Sequence, residues 1–466
     1  MKKSQFPFVS IIILNYFGEK VIKNVIDSLV NLNYPSGSYE IIVVDNNSQD
    51  KSLEILEQLK TKLPNLTIMP LSKNLGFSRG NNVGIKVAKG EYVALLNNDC
   101  VVSKNWLSNL VSTAQKNSKV FAVASKILLY QKYYELNVPI SSDIEPFYSY
   151  VSKSALYNFG GKRLYFNSYL ENGFLQAQIP YDPVSDALLE IQMLIHYKKS
   201  PTRKIKDIFS SLSKNITVRD YKIQKKDILF TLEIDLKSKI SIGKSISKIQ
   251  NAGIIPFQDG YARDIGAIVR DRTQYYEYDE GQFDKEIEVY AFCGAAVLLS
   301  KEALDKIGLL DETFFMYYED VEISERARLN GYQILYSPKA EVRHIHALSS
   351  KEGSKFFIYQ VEKGRLLHVF YNFPSRVFIR QYVTTIFIVI YGLMNILMSL
   401  KYLKAIYKDK SQDKPNFGRT FQLLRVSIYF LINLPYLIFK RYKKKSNKNI
   451  IESNYQQITS GKWYFN

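Results

Sequence analysis

The sequence predicts an α/β protein: a mostly parallel sheet flanked by helices, with an inserted β-rich module and C-terminal membrane-associated helices. Three observations predict it. Strand-length apolar runs alternate with helical periodicities over roughly the first hundred residues, the pattern of a parallel sheet covered by helices. That alternation breaks off near Leu136 and resumes near Asn251. Beyond Ser375 the most apolar stretches of the chain are bracketed by lysine and arginine. The expected divisions are residues 1–135, 136–250, 251–375 and 376–466. A chain of 466 residues, 46% hydrophobic and 23% charged, is globular and long enough for about two or three domains.

Phe8–Leu14 (FVSIIIL) is continuous, apolar and β-branched, so it reads as a strand buried on both faces and not as a signal peptide. Val21, Ile22, Val25, Ile26 and Leu29 fall on one helical face, and Glu40–Val44 forms the next strand. Leu53, Leu56, Leu59 and Leu63 mark a second helix, with Ser48 or Asp50 placed to cap it. Leu66–Met69 is a weak strand, Ser78–Lys89 a helix closed by Gly90, and Glu91–Leu96 a strong strand. From Leu136 to Gln250, short alternating runs such as Gly161–Phe166 and Ile228–Ile234 sit between lysine-rich stretches, and Asp186–His196 alone reads as helical. The α/β pattern then returns with a strand at Tyr290–Ser300, a helix at Lys301–Ile307 ending before Gly308, and a helix from Glu319 to Gly331.

Charge and cysteine content narrow the function classes. The net charge is +19, and Arg376–Lys448 supplies 15 Lys/Arg against two Asp/Glu. A nucleic-acid binder spreads such charge over its folded domain, whereas basic residues beside apolar helices suit an anionic membrane surface, so no nucleic acid is expected. Residues 381–400 are free of charge and Val426–Phe439 is a shorter apolar run, which favours interfacial or re-entrant helices while leaving a spanning helix at 381–400 open. Removal of everything after Phe373 is expected to release the chain from membranes and leave the rest folded. Two cysteines, Cys100 and Cys293, exclude a disulfide scaffold and favour a reducing compartment.

The strand ends carry the chemistry. Asn15, Asp45-Asn46-Asn47 and Asn97-Asn98-Asp99 follow three strands, where open α/β sheets bind ligands. Any one of them suits a turn; together they suit a nucleotide. Asp99 offers a hard oxygen ligand to a divalent cation, Mg²⁺ or Mn²⁺, that bridges a diphosphate. Glu319 and Asp320 open a helix whose dipole favours ionised carboxylates, one of which can take a proton from a hydroxyl. His344 and His346 would point the same way in a strand, and one could supply an imidazole ligand.

The stretches VSIIILNYFG, IIVVDNNSQD, NLGFSRGNN, YVALLNNDC, FCGAAVLLSKEALDKIGLLDETFFMYYEDVEISERARLNGY and SPKAEVRHIHALS resemble, in order and spacing, family 2 glycosyltransferases of the GT-A fold. The similarity is strongest to the bacterial rhamnosyltransferase-like, surface-polysaccharide branch, over about residues 8–130 and 250–372. The resemblance implies a nucleotide-sugar donor held near Asp45 and Asn47, with Asn74, Arg79 and Asn82 close by and Asn15, Asn97, Asn98 and Gly294 around it. It implies Asp99 as the metal-binding residue, His344 as a further ligand, Asp320 as catalytic base and Glu319 beside it. Asn97 stands where the family often has a first Asp, and the stretch 136–250 interrupts the pattern. The implied reaction is an inverting hexosyl or rhamnosyl transfer to a glycan or lipid-linked glycan at the cytoplasmic face of a membrane, in surface-polysaccharide or cell-envelope synthesis. The alternative is a non-catalytic glycan-binding or scaffold protein on the same fold.

Overall fold

The computed structural model describes residues 6–130, 132–139, 144–151, 164–165, 168–171, 174–181, 189–197, 216–224, 227–234, 245–270, 273–345, 353–402, 417–444 and 447–463. The chain divides into two compact units, one of Met1–Leu128, Ile249–Glu277 and Gly281–Asn466, the other of Leu129–Lys248 with Tyr278–Glu280.

The larger unit is built on a mixed sheet. Its elements in order are β1 (Val9–Asn15), α1 (Ile22–Val30), β2 (Tyr39–Asp45), α2 (Ser52–Lys60), β3 (Leu66–Pro70), α3 (Gly76–Val87), β4 (Tyr92–Asn97), β5 (Cys100–Val102), α4 (Trp106–Ala114) and β6 (Val120–Leu129). Strands β3, β2, β1 and β4 are parallel neighbours in that order. Their carboxyl ends coincide: Asn15 pairs with Asp45, and Leu14 with Asn97. Alternate residues serve opposite faces, as a strand buried on both sides requires. Ile11 and Ile13 pack with Ile22, Val25, Leu56 and Trp106, while Ile12 packs with Ile85, Phe121 and Ile323. Neither Ser48 nor Asp50 occupies the N-cap of α2, which is Lys51; Asp50, one residue before it, accepts from the Ser52 amide at 3.1 Å, and Ser48 turns inward.

The smaller unit is antiparallel throughout its described strands. These are β7 (Lys132–Pro139), β8 (Ile144–Val151), β9 (Leu164–Tyr165), β10 (Ser168–Glu171), β11 (Phe174–Tyr181), β12 (Leu189–Tyr197), β13 (Ile216–Gln224), β14 (Asp227–Ile234) and β15 (Ser245–Ile246). They form one sheet in the order β10-β11-β7-β15 and another in the order β13-β14-β12-β8-β9. The helix expected over Asp186–His196 is instead strand β12, central in its sheet. Leu189, Ile191, Met193 and Ile195 recur at a period of two, and pairing with β14 and β8 selects that period over the helical one. Residues 186–188, at the start of that stretch, and all of Gly161–Phe166 apart from Leu164 and Tyr165, lie outside the described residues.

The chain returns to the larger unit through β16 (Ile249–Asn251), the hairpins β17 (Ile254–Pro256)/β18 (Ala262–Asp264) and β19 (Ala267–Arg270)/β20 (Thr273–Tyr276), then β21 (Ile287–Glu288) and β22 (Ala296–Ser300). The expected strand Tyr290–Ser300 shortens to β22, because Cys293-Gly294-Ala295 is turned into the site described below. Helix α5 (Lys301–Ile307) starts where Ser300 Oγ accepts from the Ala303 amide and ends at Gly308. Helix α6 (Glu319–Leu329) and strand β23 (Gln333–His344) complete the sheet, whose order is β21-β23-β6-β22-β4-β1-β2-β3, with β16 beside β6 and β5 beside β23. The strands added beyond β4 are antiparallel where β22 meets β4 and β6, and where β23 meets β5 and β21.

Among the described residues, four helices follow: α7 (Lys355–Asn372), α8 (Ser375–Tyr402), α9 (Phe417–Lys443) and α10 (Lys448–Thr459). Leu366, Val369 and Phe370 of α7 pack with Val426, Phe430 and Leu437 of α9 and with Tyr455 of α10. Several tail cations turn inward. Lys440 pairs with Asp311, Lys444 pairs with Asp311 at 3.1 Å and also with Glu322, and Arg441 Nη2 donates to the Phe373 carbonyl at 3.0 Å. That part of the basic excess neutralises buried carboxylates of the larger unit.

Candidate active site

A cavity of about 510 Å³ opens at the carboxyl ends of β1, β2 and β4, within the usual size range of small-molecule sites. Of the residues singled out in the sequence, it brings together Asn74, Asn97, Asn98, Asp99, Gly294, Glu319, Asp320 and His344. Asn15, Asp45, Asn47, Arg79 and Asn82 are not among its lining. Asn15 and Asp45 are buried and bond to each other at 2.7 Å, and Asn98 Nδ2 donates to Asn15 Oδ1 at 3.0 Å, so this pair supports a residue that does line the cavity. Asn47 sits in a left-handed turn at φ 64°. Arg79 and Asn82 of α3 hold the Leu310–Glu312 segment, through Glu312 at 2.8 Å and the Leu310 carbonyl at 2.9 Å.

Asn46 is the member of its triplet that reaches the cavity. Its amide receives the Leu75 N–H at 2.8 Å and donates to Asn74 Oδ1 at 2.9 Å, which ties the end of β2 to the start of α3. There Gly76 has φ +80°, and a Cβ would lie 2.5 Å from the Phe315 carbonyl, to which the Phe77 amide donates. Only glycine allows that approach.

Asp99, on the turn between β4 and β5, meets His344 at the end of β23. His344 Nε2 lies 3.0 Å from Asp99 Oδ1, and Oδ1 is buried without a hydrogen bond. Gln250 Oε1, an acceptor, lies 2.8 Å from His344 Nδ1, so Nδ1 carries the proton and the lone pair of a neutral imidazole sits on Nε2, toward Asp99. With a neutral imidazole, Asp99 and His344 would offer two converging donor atoms to a divalent cation. Cys100 Sγ belongs to the same cluster, but burial pushes its thiol well up and its Sγ lies 3.6 Å from the Ala295 carbonyl, so it stays a thiol. Asp99 and His344 are the residues that fit a metal. His346 lies outside the described residues.

Opposite them stands the start of α6. Tyr317 and Tyr318 are both left-handed, at φ 68° and 71°, a strained approach of the kind stored at functional sites. It delivers Glu319 and Asp320 to the cavity. Asp320 accepts from the Gly294 amide at 3.0 Å and the Val321 amide at 2.8 Å. Burial pushes its pKa up, and these amide bonds partly offset that. Glu319 goes well above its ordinary range through burial and then through the Asp320 charge, and its Oε2 has no partner among the described residues. The helix dipole was expected to keep both ionised. Desolvation outweighs it, leaving Asp320 as the more readily ionised of the two.

The sequence reading missed Gln250, Asp264 and the aromatic wall of Phe315, Tyr317, Phe356 and Phe357. The last two enter from the first turn of α7; near the middle of the same helix, a Cβ on Gly364 would lie 2.9 Å from the Tyr317 carbonyl.

The first part of the chain is similar to known proteins. Residues 10–174 match the family model Glycosyl transferase family 2. Glycosyltransferase AglE of Haloferax volcanii is 37% identical over 110 residues, 24% of this chain and 36% of that protein. A poly(ribitol-phosphate) beta-glucosyltransferase of Bacillus spizizenii is 37% identical over 110 residues, 23% of this chain and 17% of that protein. The structure of S. aureus TarS 1–349 in complex with UDP-GlcNAc aligns at 30% identity and a TM-score of 0.24, covering 26% of this chain and 34% of that one. The matched segments thus span little more than a third of these proteins at most. The match to glycosyl transferase family 2 over residues 10–174 agrees with the resemblance its motifs carry.

Proposed function

We propose that the protein is an inverting glycosyltransferase that uses a nucleotide-diphosphate sugar and a divalent cation. One observation supports this above all others: the Asp99–His344 pair and the Glu319–Asp320 pair line a single cavity, from opposite ends of separate elements. Asp99 and His344 would hold the cation, which when bound offsets charge on a diphosphate leaving group. Asp320 takes the proton of an acceptor hydroxyl. The hydroxyl oxygen bonds to the anomeric carbon on the face opposite the diphosphate, and the bond to the diphosphate oxygen breaks with its electron pair. Glu319, kept protonated, donates to acceptor or base. A decayed, merely glycan-binding domain has no reason to keep four such groups converging.

The acceptor is a glycan or lipid-linked glycan of the cell envelope, a reading supported by the poly(ribitol-phosphate) substrate in the relative's name. Association with a membrane is supported by helices α8 and α9, each long and apolar enough to cross one. The cytoplasmic face and a hexosyl or rhamnosyl donor follow the family resemblance. The test is nucleotide-diphosphate release from a panel of nucleotide sugars, with Mg²⁺, with Mn²⁺ and with chelator. Release from one or a few donors that chelator stops is expected. Silence across the panel, with the donors failing to bind, would refute the reading.

A further inference from the structure

Resting on that reading, we propose that α8 and α9 lie in the plane of an anionic bilayer surface and do not cross it. This sets the cavity mouth at the level of an acceptor carried in the same leaflet. Both helices have the length and apolar content of a span, yet their outer faces are bare: Phe387 is 65% exposed and Ile432 73%. Core helices of a soluble protein are covered, so something apolar covers these.

Crossing is excluded by what the inner face already holds. Leu423, Val426, Phe430 and Leu437 are buried at helical spacing along the middle of α9. Polar ties run from Arg425 stacked 4.4 Å over Tyr359 of α7 to Lys440 and Lys444 on Asp311. Helix α7 buries Glu362, Lys363, Arg365 and His368. A spanning α9 must either leave α7 or carry these groups into hydrocarbon, where ionisable side chains are costly. A helix pair with one committed face and one bare apolar face is satisfied in the interface plane.

Charge selects the bilayer over a second copy of the chain. Arg380 and Lys443 are exposed along the pair, Arg419 and Arg425 stay partly exposed while reaching Glu362 and Tyr359 of α7, and neither helix contains Asp or Glu. In a two-fold dimer through this face these cations would meet their own copies, whereas an anionic leaflet complements them. The cavity follows from continuity. Phe356 and Phe357 wall it from the first turn of α7, Phe356 is partly exposed, and Tyr359, one turn further, is the ring under Arg425.

Depth-dependent fluorescence quenching tests this. Tryptophan is placed singly by Phe421→Trp, Ile432→Trp, Phe439→Trp and Phe356→Trp in the full chain. The native Trp106 and Trp463 are buried and give an unquenched background. Vesicles of phosphatidylcholine and phosphatidylglycerol carry bromine near the headgroup or near the chain end. The expected result is loss of fluorescence at all three α9 positions, each strongest with bromine near the headgroup, and weaker, equally shallow loss at Phe356→Trp. A graded result, with Ile432→Trp deep and the two ends shallow, means a spanning helix and overturns the proposal. No quenching together with a concentration-dependent dimer means a second copy and also overturns it. Quenching on α9 with none at Phe356→Trp overturns the acceptor half. None of these outcomes depends on turnover, so failure of the glycosyl-transfer reading would be seen separately, in the donor panel.

Discussion

Asp320 and Glu319 are neighbours in sequence, yet their surroundings separate their chemistry. Two backbone amides keep the Asp320 carboxylate accessible to ionisation, while burial, followed by its neighbour's charge, works against ionisation of Glu319. Asp320→Asn is therefore expected to lower transfer by about 10²–10⁴-fold while nucleotide-sugar affinity, measured by calorimetry, changes little. Near-normal turnover would remove Asp320 from the role of base. Because burial raises its pKa, the acid limb of the rate profile should fall at a pH above the ordinary value of 3.8. Gln250 has a subtler task, since its oxygen fixes the proton on His344 Nδ1 and aims Nε2 at Asp99. Gln250→Leu should weaken Mn²⁺ binding by about 10–100-fold, read by the bound Mn²⁺ resonance in the presence of nucleoside diphosphate, with an unchanged melting temperature. Unaltered Mn²⁺ affinity would make Gln250 a packing residue only. The cavity carboxylates and His344 could be found in the sequence because each stands at the end of a strongly patterned strand or helix. Gln250 could not: it lies 94 residues from His344, in a short strand with no periodicity of its own.

Helix α6 shows what an element owes to distant chain. Its first turn faces the cavity, and the rest of it is held from behind. Glu322 bonds Arg326 at 2.8 Å and is reached by Lys444, Glu325 is reached by Asn454, and Arg328 lies 4.1 Å from the Trp463 ring. Lys444→Met would leave Glu322 and Asp311 each short of a cation in a buried setting. The expected loss of unfolding free energy is about 3 kcal/mol, the lower end for breaking a buried pair, because Arg326 and Lys440 remain. Denaturant titration measures it, and a change within error would show the pairs to be incidental. Glu325 supplies a pH test. Burial pushes it from 4.5 up to about 8, with Arg328 and the Asn454 bond pulling the other way. Between those values the folded state holds a proton that the unfolded chain has released, so this part of the stability is intact below 4.5 and is lost as pH rises toward 8. Glu325→Gln keeps a neutral acceptor for Asn454 and should flatten the decline in melting temperature on the alkaline side. An unchanged slope would mean that Glu325 ionises freely in the folded protein. The helical span of α6 could be read from its sequence, but its burial could not: nine of its eleven residues are buried, and most of those are polar or charged.

At the scale of the molecule, the alternating strands and helices before Leu128 follow directly from sequence, because β1, β2 and β4 are continuous apolar runs with both faces covered. The order of the added antiparallel strands does not follow, since β22, β6 and β23 meet across long intervals. Nor does the packing of the C-terminal helices, whose composition alone suggests a detachable anchor. That expectation changes with the structure. Removing the chain after Phe373 would uncover Leu366, Val369 and Phe370 and take Lys440 and Lys444 from Asp311 and Glu322. Burial alone would push the Asp311 pKa up, but the Lys444 and Lys440 charges outweigh it and hold the carboxyl well below the usual carboxylate range, so that stability is present above 3.8 and lost as pH falls through the lowered value. Without the lysines it becomes an unpaired buried acid. The truncated chain is expected to melt at a lower temperature, or to aggregate, and to lose transfer together with membrane binding. A gentler change separates the two roles. Phe387→Glu with Ile432→Glu alters only the bare outer faces and leaves every inward tie intact. That variant should keep the wild-type melting temperature and nucleotide-sugar binding while failing to float with anionic vesicles. If the truncation instead melts like the full chain, the tail is an appendage, and the inward lysines contribute nothing that the rest of the fold lacks.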